Sequence, residues 1–168
     1  MISTSDRQEK QIALSRLLNG LVNQICSEKL FTSLGVFSPL SDEPVWWSQL
    51  SCDLEWLAVH VNEGEKLSFH PVVKKNYCQE SGVLKLSEES LGITSTPELV
   101  LVPGLGFTRQ GERLGRGKGF YDRYLQDFTG VTIGVFFSES ECESVLAESH
   151  DMILDYIVTE KEVLKIKR

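Results

Sequence analysis

The sequence predicts an α/β protein of a single domain, with a mostly parallel sheet flanked by helices on both faces. Short apolar runs of strand length alternate with segments whose apolar residues recur every three or four positions. A parallel strand pair needs a crossover between its members, so this alternation favours parallel pairing. The 168 residues match one domain at the usual length of about 100–200. No internal repeat, low-complexity run or shift of composition marks a linker.

The elements follow in order. Leu14, Leu17, Leu18, Leu21, Val22 and Ile25 share one helical face and predict a core-facing helix over residues 7–26. Leu34-Gly35-Val36-Phe37, ended by Ser38-Pro39, has the length and flanks of a buried strand. Trp47, Leu50, Leu54, Leu57, Ala58 and Val61 repeat a helical period, closed by Asn62-Glu63-Gly64. Further strands are expected over 66–70, 83–86, 98–102, 131–137 and 154–158. Between the last three lie a helix carrying Tyr121, Tyr124, Leu125 and Phe128 and a shorter one over 140–148. Ligands of such sheets bind just beyond the carboxyl ends of the strands.

Composition narrows the class. Hydrophobic residues at 41%, charged residues at 24%, 13 Gly and 5 Pro disfavour a disordered, collagen-like or disulfide-stapled chain. No apolar run approaches the ~20 residues of a membrane helix, and the first ten residues lack the apolar stretch of a secretory leader, so the expected compartment is the cytoplasm. Cys26, Cys52, Cys78 and Cys142 lie far apart with no C-x-x-C and no His at ligand spacing, which predicts buried thiols and neither a zinc site nor a redox pair. The net charge of -7 argues against nonspecific attraction to nucleic acid or to an acidic membrane.

The chemistry concentrates after the strand at 98–102. From Pro103 to Tyr124 the chain carries six of its 13 glycines. In the same stretch five basic residues (Arg109, Arg113, Arg116, Lys118, Arg123) outnumber two acidic ones (Glu112, Asp122), a local charge of +3 that leaves -10 on the remainder. A strand, a Gly-rich loop and a helix in this order expose backbone N–H groups to phosphate. Arg116 and Lys118 alternate with glycines that let the backbone approach the same anion. The pattern is neither a Walker A loop, which would need Gly at Glu112 and a hydroxyl at Gly119, nor a G-x-G-x-x-G from Gly115, which would need Gly at Phe120. The same run also reads as a long surface loop with turn glycines and solvated arginines. Asp122, beside the first helical turn, either balances the helix dipole or holds Mg²⁺ next to a polyphosphate. Asp151, in His150-Asp151-Met152, is a second carboxylate at a loop-to-strand boundary.

The run Arg113-Leu114-Gly115-Arg116-Gly117-Lys118-Gly119-Phe120-Tyr121-Asp122-Arg123-Tyr124-Leu125, preceded by Val102-Pro103-Gly104-Leu105-Gly106-Phe107 and followed at a distance by His150-Asp151, closely resembles the 5-formyltetrahydrofolate cyclo-ligase family. Weaker similarity runs from Val36 to Glu43, through Ser68-Phe69-His70-Pro71, to Val158-Thr159-Glu160. The resemblance implies an ATP- and Mg²⁺-dependent ligase. The N5-formyl oxygen takes the γ-phosphoryl group, N10 attacks the activated carbon, and phosphate leaves. It implies that Arg113, Leu114, Gly115, Arg116, Gly117, Lys118, Gly119, Phe120 and Tyr121 cradle ATP, with Arg116 and Lys118 on its phosphates as catalytic cations. It further implies that Asp122 and Asp151 hold Mg²⁺, and that Arg116, Gly117, Lys118, Gly119 and Phe120 border the folate. Glu43 matches the family's pterin-binding carboxylate, with Ser38 in the same pocket; a two-oxygen acceptor suits the amidine-like N–H pair of a pterin. The implied partners are a reduced folate and ATP; the chain is expected to be a monomer and, from its net charge, to engage neither nucleic acid nor membrane.

The chain departs from the family pattern at several points. The usual Lys with an Arg four residues later is absent: Leu14 stands four after Lys10. Phe120 replaces a tyrosine, Thr108 an acid, and Pro44-Val45-Trp46-Trp47 a polar turn. The missing cationic pair favours a second reading, a folate- or nucleotide-binding protein of the same fold without turnover. An RNA-binding reading of the Arg/Lys/aromatic loop is opposed by the acidic remainder.

Overall fold

The computed structural model describes residues 4–72, 86–145 and 152–166. Its first element is α1 (Thr4–Glu28), with Asp6 in the first turn, where a carboxylate complements the helix dipole. Leu14, Leu18, Leu21, Val22 and Ile25 form its buried face, as the three- and four-residue spacing predicts. The strands of the main sheet are β1 (Ser33–Val36), β2 (Glu55–Val61), β3 (Leu67–Pro71), β4 (Leu99–Val102), β7 (Val131–Val135), β8 (Tyr156–Val158) and β9 (Val163–Lys165), while β5 (Gly106–Phe107) and β6 (Arg113–Leu114) pair as a separate ribbon. The sheet order is β3-β2-β1-β4-β7-β8-β9. The inner five are parallel, and β3 and β9 close the edges as antiparallel strands.

The sheet separates two apolar layers. Leu34, Val36, Leu99, Leu101, Ile133 and Val135 pack with α1 on one face. Val100, Val102, Leu57 and Phe69 point the other way, toward α3 (Phe120–Gln126) and its buried Leu125. Both β1 and β4 are buried at every position, because a parallel strand covered on two faces has no solvent side. The expected α/β architecture is therefore the one observed.

The helical period over Trp47–Val61 is overturned. Residues 55–61 form β2, in which Trp56, Leu57 and Ala58 are consecutively buried. A strand covered on both faces needs an unbroken apolar run, and such a run is compatible with a helical repeat by accident. The connection from β1 to β2 contains no helix; Trp46, fully buried, anchors it instead. Ser15 Oγ donates to the Trp46 carbonyl at 2.6 Å and accepts from the Gln49 amide at 2.7 Å, tying this connection to α1. The Asn62-Glu63-Gly64 signal closes a β2–β3 hairpin, with Asn62 Oδ1 accepting from the Gly64 and Lys66 amides.

A helix over 140–148 is not formed within its described part, where a short 3₁₀ turn at Ser138–Ser140 gives way to extended chain. The rest of that segment and most of the strand expected at 83–86 lie outside the described residues. Three elements had no sequence expectation: the short helix α2 (Glu88–Leu91), capped by Ser87, the β5–β6 ribbon, and β9. Cys26, Cys52 and Cys142 carry thiols outside any disulfide, but each is part-exposed, not buried as expected; Cys78 lies outside the described residues. Among the described residues no helix is long and apolar enough to cross a membrane.

Candidate active site

The chain leaves β1 toward β2 on one side, whereas β4 lies on the other side of β1. The loops beyond β1 and β4 therefore diverge and open a crevice at this switch of direction. A cavity of about 300 Å³ fills it, walled by Phe37, Ser38, Leu40 and Glu43 after β1, by Pro103 and Gly104 after β4, and by Val59, Val61 and Leu67 of the β2–β3 hairpin. The 113–122 segment supplies Arg113, Gly115, Arg116, Lys118, Gly119, Phe120, Tyr121 and Asp122. The sequence-predicted residues thus converge, except that Leu114 and Gly117 stand outside the lining and Asp151 lies outside the described residues.

The cationic wall is preorganised. The β5–β6 ribbon folds the Gly-rich segment back on itself, closed by the Thr108 Oγ1 bond to Glu112 at 2.9 Å. Gly104 sits where a Cβ would come within 2.8 Å of the Leu114 carbonyl oxygen, so the strand can pass the ribbon only without a side chain. Gly119 begins α3 at φ 63°, a left-handed conformation that glycine adopts without strain. Arg113, almost fully buried, bonds the Pro103 carbonyl at 3.2 Å and pairs with Asp122. Asp122 is thus an ion-pair partner first, a role that neither the dipole nor the metal reading foresaw. Arg123 braces the loop through the Lys118 and Glu65 carbonyls at 3.0 and 3.1 Å. Lys118 is exposed, stands 5.8 Å over the Phe120 ring, and among the described residues has no anionic partner.

Tyr121 lines the cavity, and its buried hydroxyl has no hydrogen-bond partner among the described residues. A buried unsatisfied hydroxyl is costly unless something else satisfies it. Burial, and to a smaller extent the negative charge of Glu43, push its pKa well above the ordinary tyrosine value, so the group is a neutral donor.

The acidic wall faces it. Glu43 is 4% exposed, with one carboxylate oxygen accepting from the Leu40 amide at 2.9 Å. Its other oxygen accepts from Arg116 Nε at 3.3 Å and Nη2 at 3.1 Å. The same Nη2 meets both oxygens of Asp42 at 2.7 Å. Hydrogen bonding from Arg116 holds the Asp42 carboxyl below its usual range, and Asp42 in turn raises Arg116. Arg7, from the start of α1, donates to the Glu43 backbone carbonyl at 3.0 Å and lies 5.2 Å over the Phe137 ring. Lys10 pairs with Glu139. Sequence reasoning missed Asp42, Arg7 and the apolar floor of Val59, Val61 and Leu67. The available signal was the pairing of Asp42 with Glu43 in an acidic remainder opposite a cationic loop.

Comparison with known proteins agrees with this geometry. The sequence model of the 5-formyltetrahydrofolate cyclo-ligase family matches residues 53–160, about two-thirds of the chain. The mouse 5-formyltetrahydrofolate cyclo-ligase is 35% identical over 108 residues, covering 61% of this chain and 52% of its own. That of Mycoplasma pneumoniae is 40% identical over 63 residues, covering 36% and 38%. The chain thus aligns with about half or less of the length of these curated relatives. In three dimensions it is similar to a 5,10-methenyltetrahydrofolate synthetase of Mycoplasma pneumoniae, with a TM-score of 0.72 at 21% identity over 94% of this chain and 89% of the other. The Aquifex aeolicus 5,10-methenyltetrahydrofolate synthetase gives a TM-score of 0.68 at 26% identity, over 92% and 82%. With a family match that takes in the whole Gly-rich segment and a fold shared over nearly its full length, the chain belongs to the 5-formyltetrahydrofolate cyclo-ligase family.

Proposed function

We propose that this protein closes 5-formyltetrahydrofolate to 5,10-methenyltetrahydrofolate at the expense of ATP, releasing ADP and phosphate, as a monomeric cytoplasmic enzyme whose residues 1–168 form one cyclo-ligase domain. The observation that carries the reading is the meeting, in one cavity, of the 113–122 segment with the buried carboxylate of Glu43. Glu43, with Ser38 beside it, accepts the N–H pair of the pterin. Arg116 and Lys118 place positive charge on the transferring phosphoryl group, where such charge is most effective because it is already oriented. Gly115, Gly117 and Gly119 keep the backbone low enough for close approach, Arg113 and Leu114 hold the ribbon beneath, and Phe120 borders the folate. Tyr121 donates its otherwise unsatisfied hydroxyl to the bound substrates.

For Mg²⁺ the donor set fits in part: among the described residues no group of three ligating side chains occurs. Mg²⁺ commonly takes one or two carboxylates and completes its shell with water and substrate phosphates. Asp122 can supply the oxygen that Arg113 leaves open, and Asp151 is the second ligand implied by the resemblance. The ion would supply charge neutralisation to the phosphates.

One feature favours turnover being lost while binding persists: the Lys with an Arg four residues later that the resemblance leads one to expect is not found, Leu14 standing four after Lys10, and Lys10 is committed to Glu139. The decisive assay is formation of the methenyl product from 5-formyltetrahydrofolate with and without ATP and Mg²⁺, alongside melting curves. Catalysis requires product only when all three are present. Melting raised by ATP with Mg²⁺ but no product establishes the binding protein, since ligation of the native state stabilises it by mass action. Equal melting with and without nucleotide rejects both.

A further inference from the structure

The groups proposed to hold the two substrates hold each other. Arg116, assigned to phosphate, is bonded through Nε and Nη2 to Glu43, assigned to the pterin, across a separation of 73 residues in sequence. Asp42 grips the same Nη2 with both oxygens. The exposures differ in a telling way: side chains of Asp42 and Arg116 are 54% and 37% exposed, that of Glu43 only 5%. Water readily solvates Asp42 if Arg116 leaves, whereas Glu43, set deeper in the cavity wall, is far less open to it. Arg7 offers no replacement, because it is bonded to the backbone carbonyl of Glu43 and not to its carboxylate.

We propose that this Asp42–Arg116–Glu43 bridge couples the two substrate subsites, so that folate and ATP each raise the affinity for the other; the inference rests on the functional reading above. ATP arriving alone draws Arg116 to its phosphates and strands the buried Glu43 carboxylate without a cation, a costly state. A folate arriving first gives that carboxylate the N–H donors of its pterin, and Arg116 remains solvated and paired with Asp42. Phosphate then competes with one exposed carboxylate and strands nothing. Because the coupling is a difference of binding free energies, it must act equally in both directions. Asp42 is the third member of the bridge. It is a positioning residue that holds Arg116 at the cavity mouth and competes with phosphate for it.

The test is equilibrium titration of the full chain with Mg²⁺ and the β,γ-imido analogue of ATP, with and without saturating 5-formyltetrahydrofolate. Affinity for the analogue should rise at least about fivefold with folate present, the lower end of typical site coupling, and folate affinity should rise by the same factor with the analogue present. In the absence of folate, Glu43→Gln should bind the analogue more tightly than wild type, because no charge is stranded. Asp42→Asn, at an exposed position that folding tolerates, should do the same by removing a competitor. Both ligands binding with no mutual effect would overturn the coupling while leaving the functional reading intact, as would unchanged or weakened analogue binding in both variants. Failure of wild type to bind either ligand overturns the functional reading and the coupling with it.

Discussion

The β1–β2 and β4–α3 connections leave the carboxyl ends of neighbouring strands and face one another across the same cavity, yet they are built in opposite ways. The second, from Pro103 to Gly119, is folded chiefly by its own backbone, through a two-strand ribbon, glycines at φ 80° (Gly117) and 63° (Gly119), and arginines bonded to local carbonyls and to Asp122, with the Cys142 and Leu154 amides adding outside bonds to the Phe107 and Gly111 carbonyls. Its shape is encoded locally, so its residue types can be read in order. The first, residues 37–54, has no regular structure and is held by long-range anchors. Trp46 is buried beside Phe37, Trp47 and Trp56, with ring centroids at 6.1, 5.1 and 5.2 Å. Its indole N–H donates to the Phe37 carbonyl at 3.0 Å. One wall of the site is a local motif and the other is a product of core packing, and Arg116 joins them.

This contrast assigns different consequences to different residues. The largest expected effect is on stability: Trp46→Ala should cost roughly 3–5 kcal/mol, the usual range for deleting a buried large aromatic. A denaturant midpoint that falls by less than a third of this would mean that the connection is not anchored by the core. Next comes Lys118→Ala, which should lower kcat/KM about 10²-fold, as loss of one oriented charge does, with stability changed by less than about 0.5 kcal/mol because the side chain is exposed. Comparable losses in activity and stability would show that the cationic wall is structural.

Tyr121→Phe tests the boundary between the two walls. Removing an unsatisfied hydroxyl should leave the melting temperature unchanged or raised. It should lower kcat/KM about tenfold, the worth of one hydrogen bond made only to the ligand. A lowered melting temperature would mean that the hydroxyl has a partner in the ligand-free protein. The smallest effect concerns Tyr124, which packs on Phe69 and Phe128 with ring centroids at 5.0 and 5.7 Å. Burial pushes its phenol up to about 12. Above pH ~10 the unfolded chain loses this proton while the folded chain keeps it, so the folded state binds more protons and stability falls as pH rises. The contribution is intact below pH ~10 and is lost on rising through about 12. Unfolding free energy should therefore decline less steeply over that window in Tyr124→Phe than in wild type, and parallel slopes would contradict the burial argument.

Regular repetition and local backbone chemistry were legible from the residues alone. The spacing of Leu14, Leu18, Leu21, Val22 and Ile25 determined α1. The unbroken apolar runs Leu34–Phe37 and Leu99–Val102 determined buried parallel strands, and the glycines alternating with Arg116 and Lys118 marked the cationic segment of the cavity wall. What failed was the assignment of Trp47–Val61, because a strand covered on both faces leaves no alternation to betray it. The carboxylates at 42 and 43 carried no local sign of their pairing either. Nothing near them in sequence indicates that Arg116 closes on both, or that burial strips Glu43 of water and leaves Asp42 wet. By itself the sequence determined the first helix, the central strands and the loop that carries the cations, since these depend on periodicity and on φ preferences within a few residues. Only the tertiary structure decided that Asp42 joins Glu43 on Arg116, which hydroxyl goes unsatisfied and which charge is costly to leave alone, because desolvation is set by neighbours brought from 73 residues away.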